Sequence, residues 1–177
     1  MSKIARTVIH TITKIREYQY KQVSEFAQEI HGKKILELGS GKKLKGKYHY
    51  SAIHLFNKDN DFLQTDIIEG FGHKIVDVTK MKFKSEFDII LCLNVLEHVY
   101  EYQIALDNMY KSLKKGGTAV IAVPTFYPLH DEPGDFWRFT EHSLRKLLMD
   151  TGFKINKFTY RGKREYPYTY YVEASKK

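Results

Sequence analysis

Hydrophobic and polar positions along the chain change their period several times, and each change marks an expected element. Over 11–31, Ile12, Ile15, Val23, Phe26, Ala27 and Ile30 recur mostly at helical spacing, and Gly32 stands where a left-handed cap can end a helix. The run from Lys34 through Ile35, Leu36 and Glu37 to Leu38 then reads as a short buried strand. It leads into Gly39-Ser40-Gly41, whose small residues permit a tight turn and a close approach of backbone to a ligand. The segment 42–50 is basic and poor in apolar residues, and Ser51 can cap a short helix carrying Ala52, Ile53, Leu55 and Phe56. Further strands are expected over 62–65, 74–76 and 87–93, the last almost wholly apolar as in a strand buried on both faces.

Downstream, Ala105, Met109 and Leu113, with Leu106 and Tyr110 beside them, predict a helix over 101–113 that Gly116-Gly117 stops. A strand over 118–123 ends at Pro124, and a loop crowded with bulky and charged residues runs to Phe139. Thr140 caps a second helix bearing Leu144, Leu147 and Leu148, with Gly152 after its last turn. Two strands follow, 153–160 and 168–172, with Pro167 placed where its missing amide breaks no ladder bond. Strands alternating with helices predict a three-layer α/β fold whose sheet is mostly parallel. The expected organisation is one domain over 1–177, with an N-terminal helix at 11–31 and a C-terminal antiparallel strand pair at 153–173.

Composition narrows this picture. A chain of 177 residues, 42% hydrophobic and 28% charged, is long enough to bury a real core and is neither disordered nor low in complexity. One cysteine, Cys92, excludes an intrachain disulfide framework and suits a reducing compartment. The first residues carry too many charges for a signal peptide, and no apolar run nears the roughly 20 residues that cross a bilayer, so a cytoplasmic protein is expected. The net charge of +8 would attract nucleic acid, anionic lipid or phosphorylated small molecules without choosing among them.

In such a sheet, ligands sit beyond the carboxyl ends of the strands, near the point where strand order reverses. Glu37, Asp66, Asp77 and Asn94 all fall near that edge. Glu37 could hold a cationic or hydroxyl group beside the Gly39-Ser40-Gly41 amides, Asp66 could accept from two ribose hydroxyls, and Asp77 from an adenine amino group. Together they outline a nucleoside-shaped cleft; singly, each carboxylate also fits a helix cap or a solvated strand end. A nicotinamide enzyme would need its glycine turn to enter a helix directly, which 42–47 does not provide. The eight histidines show no HExxH or other compact ligand set, so no metal site is expected, and metal dependence could arise only through spacings invisible in sequence order.

Three segments in order carry a closer likeness: Ile35-Leu36-Glu37-Leu38-Gly39-Ser40-Gly41, then 87–99 with Asn94-Val95-Leu96-Glu97-His98-Val99, then Leu113-Lys114-Lys115-Gly116-Gly117-Thr118. They resemble the class I S-adenosylmethionine-dependent methyltransferases, in particular the small broad-substrate (type 11-like) subgroup. The resemblance implies a Rossmann-like fold with a seven-stranded, mostly parallel sheet ending in an antiparallel strand, and S-adenosylmethionine as cofactor. It places Glu37 near the methionine amino end, Gly39, Ser40 and Gly41 against the cofactor, Asp66 on the ribose, Asp77 on the adenine, and Asn94 and Leu96 beside the methyl group. It also implies that the His130–Arg138 loop shapes the acceptor pocket. There His130 could remove a proton, Asp131 or Asp135 could orient it, Arg138 could hold an anion, and Trp137 would contact the acceptor. His98 is a second candidate for chemistry, although the Glu97-His98 pair often only shapes the pocket. Equally concrete is a loop-stabilising Asp135–Arg138 ion pair with Trp137 packed on the sheet.

Two positions depart from the pattern. Lys43 stands where a third glycine is frequent, followed by Lys45, Lys47, Tyr48 and Tyr50, and Asp66 lies 29 positions after Glu37 where roughly 20 is familiar. The implied reaction is methyl transfer to a small acceptor such as a sugar, a lipid-linked precursor or another metabolite. The competing reading is a nucleic-acid-binding or regulatory protein on a non-catalytic scaffold of the same fold. From Lys154 onward seven Lys or Arg face two Glu, interleaved with tyrosines that could stack on bases.

Overall fold

The computed structural model describes residues 3–44, 47–48, 50–130 and 134–177. In chain order its elements are α1 (Lys3–Ala27), β1 (Lys34–Leu38), the two-residue strands β2 (Lys43–Leu44) and β3 (Lys47–Tyr48), β4 (Asp61–Asp66), β5 (Lys74–Ile75), β6 (Phe87–Leu93), α2 (Tyr102–Ser112), β7 (Leu113–Pro124), α3 (Glu141–Thr151), β8 (Phe153–Lys163) and β9 (Tyr166–Lys176). Seven strands form one sheet in the order β5-β4-β1-β6-β7-β9-β8, and β2 and β3 form a separate two-stranded sheet. The ladders from β5 to β7 are parallel, whereas β9 runs antiparallel to both β7 and β8. This is the expected mostly parallel, Rossmann-like sheet with its antiparallel end.

The alternation of side chains across each strand divides the core into two layers. Leu36 and Leu38 of β1, with Ile90 and Cys92 of β6, pack with Leu106 and Met109 of α2 and Leu144 and Leu148 of α3. Ile35, Ile89 and Leu91 point the other way, onto Val23 and Ala27 of α1. Each fully buried Leu or Ile contributes about 1.5–3 kcal/mol. Cys92 lies wholly inside the first layer, where burial pushes its thiol well above the ordinary range and leaves a packing role.

Three local outcomes differ from the sequence expectation. α1 ends at Ala27, not near His31, because the chain turns there: Ile30 N donates to Ala27 O, and Asn60 Nδ2 donates to Ile30 O at 3.1 Å. The helix expected after Ser51 is a single 3-10 turn, Ile53–Leu55, so among the described residues the β1-to-β4 crossover contains no α-helix, and α1 covers that face. β7 begins at Leu113 and bulges around Gly116-Gly117, since Phe87 pairs with Leu113 while Ile89 pairs with Thr118. A Cβ on Gly117 would meet the carbonyl oxygens of Asp88, Lys114 and Phe87 at 3.0–3.1 Å, which explains why this turn needs glycine. α3 starts as expected: the Thr140 hydroxyl accepts from Ser143 N, the Ser143 hydroxyl accepts from Thr140 N, and Gly152 closes the helix at φ +105°.

Among the described residues no helix is long and apolar enough to cross a membrane.

Candidate functional site

The chain leaves β1 outward to β4 and β5 and then returns to β6 on the other side of β1, so strand order reverses between β1 and β6. The backbone is left-handed directly after both strands, at Gly39 (φ +68°) and Asn94 (φ +55°). A side chain on Gly39 would place its Cβ 2.6 Å from Val95 Cγ2, so the two strand ends approach as closely as they do only because residue 39 has none. Asn94 tolerates its conformation because it is held from both sides. Its amide N donates to Ala122 O at 2.8 Å, and its side chain exchanges two 2.9 Å hydrogen bonds with Gln19 of α1. Gln19 Nε2 also donates to Thr169 Oγ1 of β9, tying helix and sheet together. Gln19→Leu, which orphans the Asn94 amide, is expected to cost about 1–3 kcal/mol in denaturant unfolding. A midpoint equal to that of the parent chain would show that the pairing contributes nothing.

At this crevice lies a cavity of about 710 Å³, within the roughly 300–1,000 Å³ range of ligand sites. Of the residues expected there, Gly39, Gly41, Asp66, Asp77, Asn94, His98 and His130 line it. Glu37, Ser40, Leu96, Asp135, Trp137 and Arg138 do not. Asp131 lies outside the described residues. Arg16, Gln19 and Tyr20 of α1, Leu93 at the end of β6, Val95 after it, Tyr50 and Tyr127 also line the cavity. Arg16 sets its guanidinium 4.2 Å from the centre of the Tyr50 ring, closing one side. The helical period of α1 marked its buried stripe, but nothing in sequence order announced that this helix would wall a cavity at the far end of β6.

The three acidic positions turn out to differ in kind. Glu37 is buried, and both its oxygens serve the chain itself: Ser40 Oγ (2.7 Å) and Ser51 Oγ (2.5 Å) donate to Oε2, and Ala52 N donates to Oε1 at 2.6 Å. Burial raises its pKa, and those three donors work against the rise without cancelling it. Glu37 thus pins the start of the crossover back against β1 instead of facing the cavity. Asp66, at the end of β4, accepts from Gly41 N (2.9 Å) and Ile68 N (3.0 Å), so it fixes the glycine turn while remaining on the cavity wall. Asp77 accepts from the amide and hydroxyl of Thr79 and pairs with Lys80 at 3.0 Å. Burial alone would raise its carboxyl, but these partners outweigh it and hold the pKa low.

Around the 3-10 turn Leu96–His98 the side chains part. Leu96 enters the core and is fully buried, so the apolar cavity wall beside Asn94 comes from Leu93 and Val95. Glu97 is also fully buried, and among the described residues neither of its carboxyl oxygens has a hydrogen-bond partner. Burial pushes its pKa up to about 8. Its backbone carbonyl accepts from Phe136 N and Trp137 N, which anchors the 134–138 loop. Burial also lowers the pKa of His98 and favours its neutral form.

In that loop Arg138 and Asp135 form a bidentate pair, and the Arg138 guanidinium holds the Asp135 carboxyl well below the usual range. Trp137 packs against Tyr100 and Tyr102 and donates Nε1 to Tyr100 O. These three side chains build the loop, and His130 is the part that reaches the cavity, with Nδ1 3.0 Å from Asp135 Oδ2 and its ring 4.6 Å from that of His98.

With this geometry in view, comparison with known proteins is consistent. A family model described as a methyltransferase domain matches residues 12–157. The chain belongs to this family, the class I S-adenosylmethionine-dependent methyltransferases. A curated relative, the ubiquinone biosynthesis O-methyltransferase of Rickettsia canadensis, is 26% identical over 126 residues, 65% of this chain and 53% of that protein. The chain therefore spans about half the length of the curated relative it matches. Among solved structures, a putative S-adenosylmethionine-dependent methyltransferase from Listeria monocytogenes superposes with a TM-score of 0.67 at 13% identity, covering 90% of this chain and 98% of the other. The Burkholderia thailandensis 1,6-didemethyltoxoflavin-N1-methyltransferase, with 1,6-didemethyltoxoflavin and S-adenosylhomocysteine bound, gives 0.65 at 16% identity, covering 99% and 91%. Both likenesses concern the fold.

Proposed function

We propose that the chain transfers a methyl group from S-adenosylmethionine to a small-molecule acceptor such as a sugar, a lipid-linked precursor or another metabolite. The observation that carries this reading is the cavity at the reversal of strand order, where the glycine turn, Asp66, Asp77 and Asn94 line one wall. In this assignment the Gly39 and Gly41 backbone lies along the methionine part, Asp66 accepts from the ribose hydroxyls, Asp77 from the adenine amino group, and Asn94 with Leu93 and Val95 flanks the sulfonium. Glu37 and Ser40 support the turn from behind. The names of the Rickettsia and Burkholderia enzymes, an O- and an N-methyltransferase, support small acceptors as a class and do not choose the atom.

The sulfonium already makes its methyl group electrophilic, so the protein's task is to align sulfur, methyl and acceptor and to exclude water. His130, its Nδ1 turned to Asp135, and His98 border the end of the cavity left for the acceptor. Either could take a proton from a hydroxyl there. Calorimetric titration of cofactor-free protein with S-adenosylmethionine at physiological salt should give saturable binding near one per chain. Asp66→Ala should weaken it by about 2–3 kcal/mol, roughly 30- to 150-fold, through loss of charge-assisted hydrogen bonds. Folded protein that binds no cofactor would remove the catalytic reading.

A further inference from the structure

We propose that Glu97, His98 and His130 form a binding site for a divalent first-row transition ion, of which Zn2+ is the probe of choice. One ligand atom from each of the three lies within 4.8 Å of those of the other two. His98 Nε2 stands 3.9 Å from Glu97 Oε1. Bonds of about 2.0–2.2 Å to a tetrahedral ion would set these atoms roughly 3.4 Å apart, so closing on an ion asks for side-chain movements of about 1 Å.

The hydrogen bonds around the three groups make them ligands in waiting. His98 Nδ1 lies 2.6 Å from Gly134 O, and a carbonyl oxygen can only accept, so Nδ1 carries the proton and the neutral ring keeps its lone pair on Nε2. His130 Nδ1 faces two acceptors, Asp135 Oδ2 at 3.0 Å and Pro128 O at 3.1 Å, which imposes the same tautomer. Carbonyl and carboxylate partners on the far nitrogen are the arrangement that orients metal-bound imidazoles. The independent sign is Glu97: a fully buried carboxyl on the cavity wall whose two oxygens lack any hydrogen-bond partner among the described residues. A buried polar group in that position ordinarily loses stability unless something pairs with it. A cation between the two imidazoles supplies the missing partner.

Two imidazole nitrogens and one carboxylate suit zinc, iron, cobalt or manganese better than calcium or magnesium. Such a set leaves further coordination positions open, and because all three residues line the cavity, those positions face the proposed acceptor. An ion there would make the imidazoles ligands instead of bases and would itself favour a deprotonated acceptor oxygen. That consequence rests on the methyltransferase reading, whereas the binding does not.

The test uses metal alone, with neither cofactor nor acceptor. Full-length protein stripped with chelator is titrated with Zn2+, and with Co2+ followed by its visible ligand-field absorption. One ion per chain is expected, with Co2+ spectra of low-symmetry nitrogen and oxygen ligation. His98→Ala and His130→Ala should each lose more than the roughly 10- to 100-fold that follows removal of a ligand's outer partner, and Glu97→Gln should weaken binding in the same sense. His142→Ala, an exposed control, should bind as the parent does. His98→Gln and His130→Gln stand in if an alanine variant fails to fold by circular dichroism. Absence of binding, or equal binding by the parent and a folded His98/His130 double variant, overturns the site. Intact S-adenosylmethionine binding in the same samples keeps that failure separate from any failure of the methyltransferase reading.

Discussion

Gly39→Ala should abolish measurable cofactor binding and lower stability by about 2–5 kcal/mol. Two separate penalties add. A residue with a Cβ pays about 1–2 kcal/mol to hold the left-handed backbone at φ +68°. Its Cβ would also stand 2.6 Å from Val95 Cγ2, an overlap of the kind that costs about 1–3 kcal/mol in packed interiors. Relief by movement displaces either the turn or the chain after β6, and both border the cavity. The double variant Gly39→Ala/Val95→Ala separates the contributions: it should recover the overlap and retain the backbone cost. Gly32→Ala supplies the contrast, since its φ is +59° but nothing lies within 4 Å of the added atom. It should lose about 1–2 kcal/mol and bind cofactor normally. Denaturant melts and calorimetry on the four proteins decide the matter. Cofactor affinity unchanged in Gly39→Ala would mean that the turn does not approach the ligand.

The second large effect is expected at Glu37. Glu37→Ala leaves the Ser40 and Ser51 hydroxyls and the Ala52 amide without their acceptor, in a region where both serines are fully buried. A loss of about 3–5 kcal/mol follows, in the range for breaking a buried charged network. Glu37→Gln keeps the volume and one oxygen and should cost about 1–2 kcal/mol. The two forms should also differ in pH dependence. Burial raises the Glu37 pKa above its ordinary 4.5, so the unfolded chain releases this proton at a lower pH than the folded one. Its contribution to stability is therefore largest below pH 4.5 and declines as pH rises through the folded value. Other carboxylates, Asp77 among them, are shifted the opposite way, so the informative quantity is the difference between parent and Glu37→Gln across pH. That difference should narrow toward neutral pH. A constant difference would mean that the carboxyl ionises in the folded state as it does in water.

The two positions also show where sequence reading succeeds and where it stops. Gly39 was legible because a tight turn after a buried strand leaves few residues able to take it. Glu37 was legible as an acid inside an apolar run, but its partners Ser51 and Ala52 lie 14 and 15 positions onward, beyond any helical or strand period. The same limit separates the two ends of the cavity. Asp66 ends β4 and Asp77 stands just past the end of β5, so strand ends alone brought them to one edge. The convergence of Glu97 and His98 with His130, over 30 residues away, depends on loop 134–138 docking on the Glu97 carbonyl and on an ion pair within it.

What followed from the residues in order was therefore the local grammar: the apolar runs of β1 and β6, the capped α3, the glycine turns, and the motif spacing that marks the methyltransferase family. These depend on backbone dihedrals and on burial of one face, which neighbouring residues set within a turn or a strand. What the folded chain alone settled was which surfaces meet. α1 replaces a crossover helix and walls the cavity with Arg16, Gln19 and Tyr20, Leu96 yields the cavity wall to Leu93 and Val95, and the Glu97 carboxyl lies beside two imidazoles with no hydrogen-bond partner among the described residues. Such contacts are chosen by packing and by the pairing of polar groups across the whole molecule, and a periodic pattern names a buried face without naming what covers it.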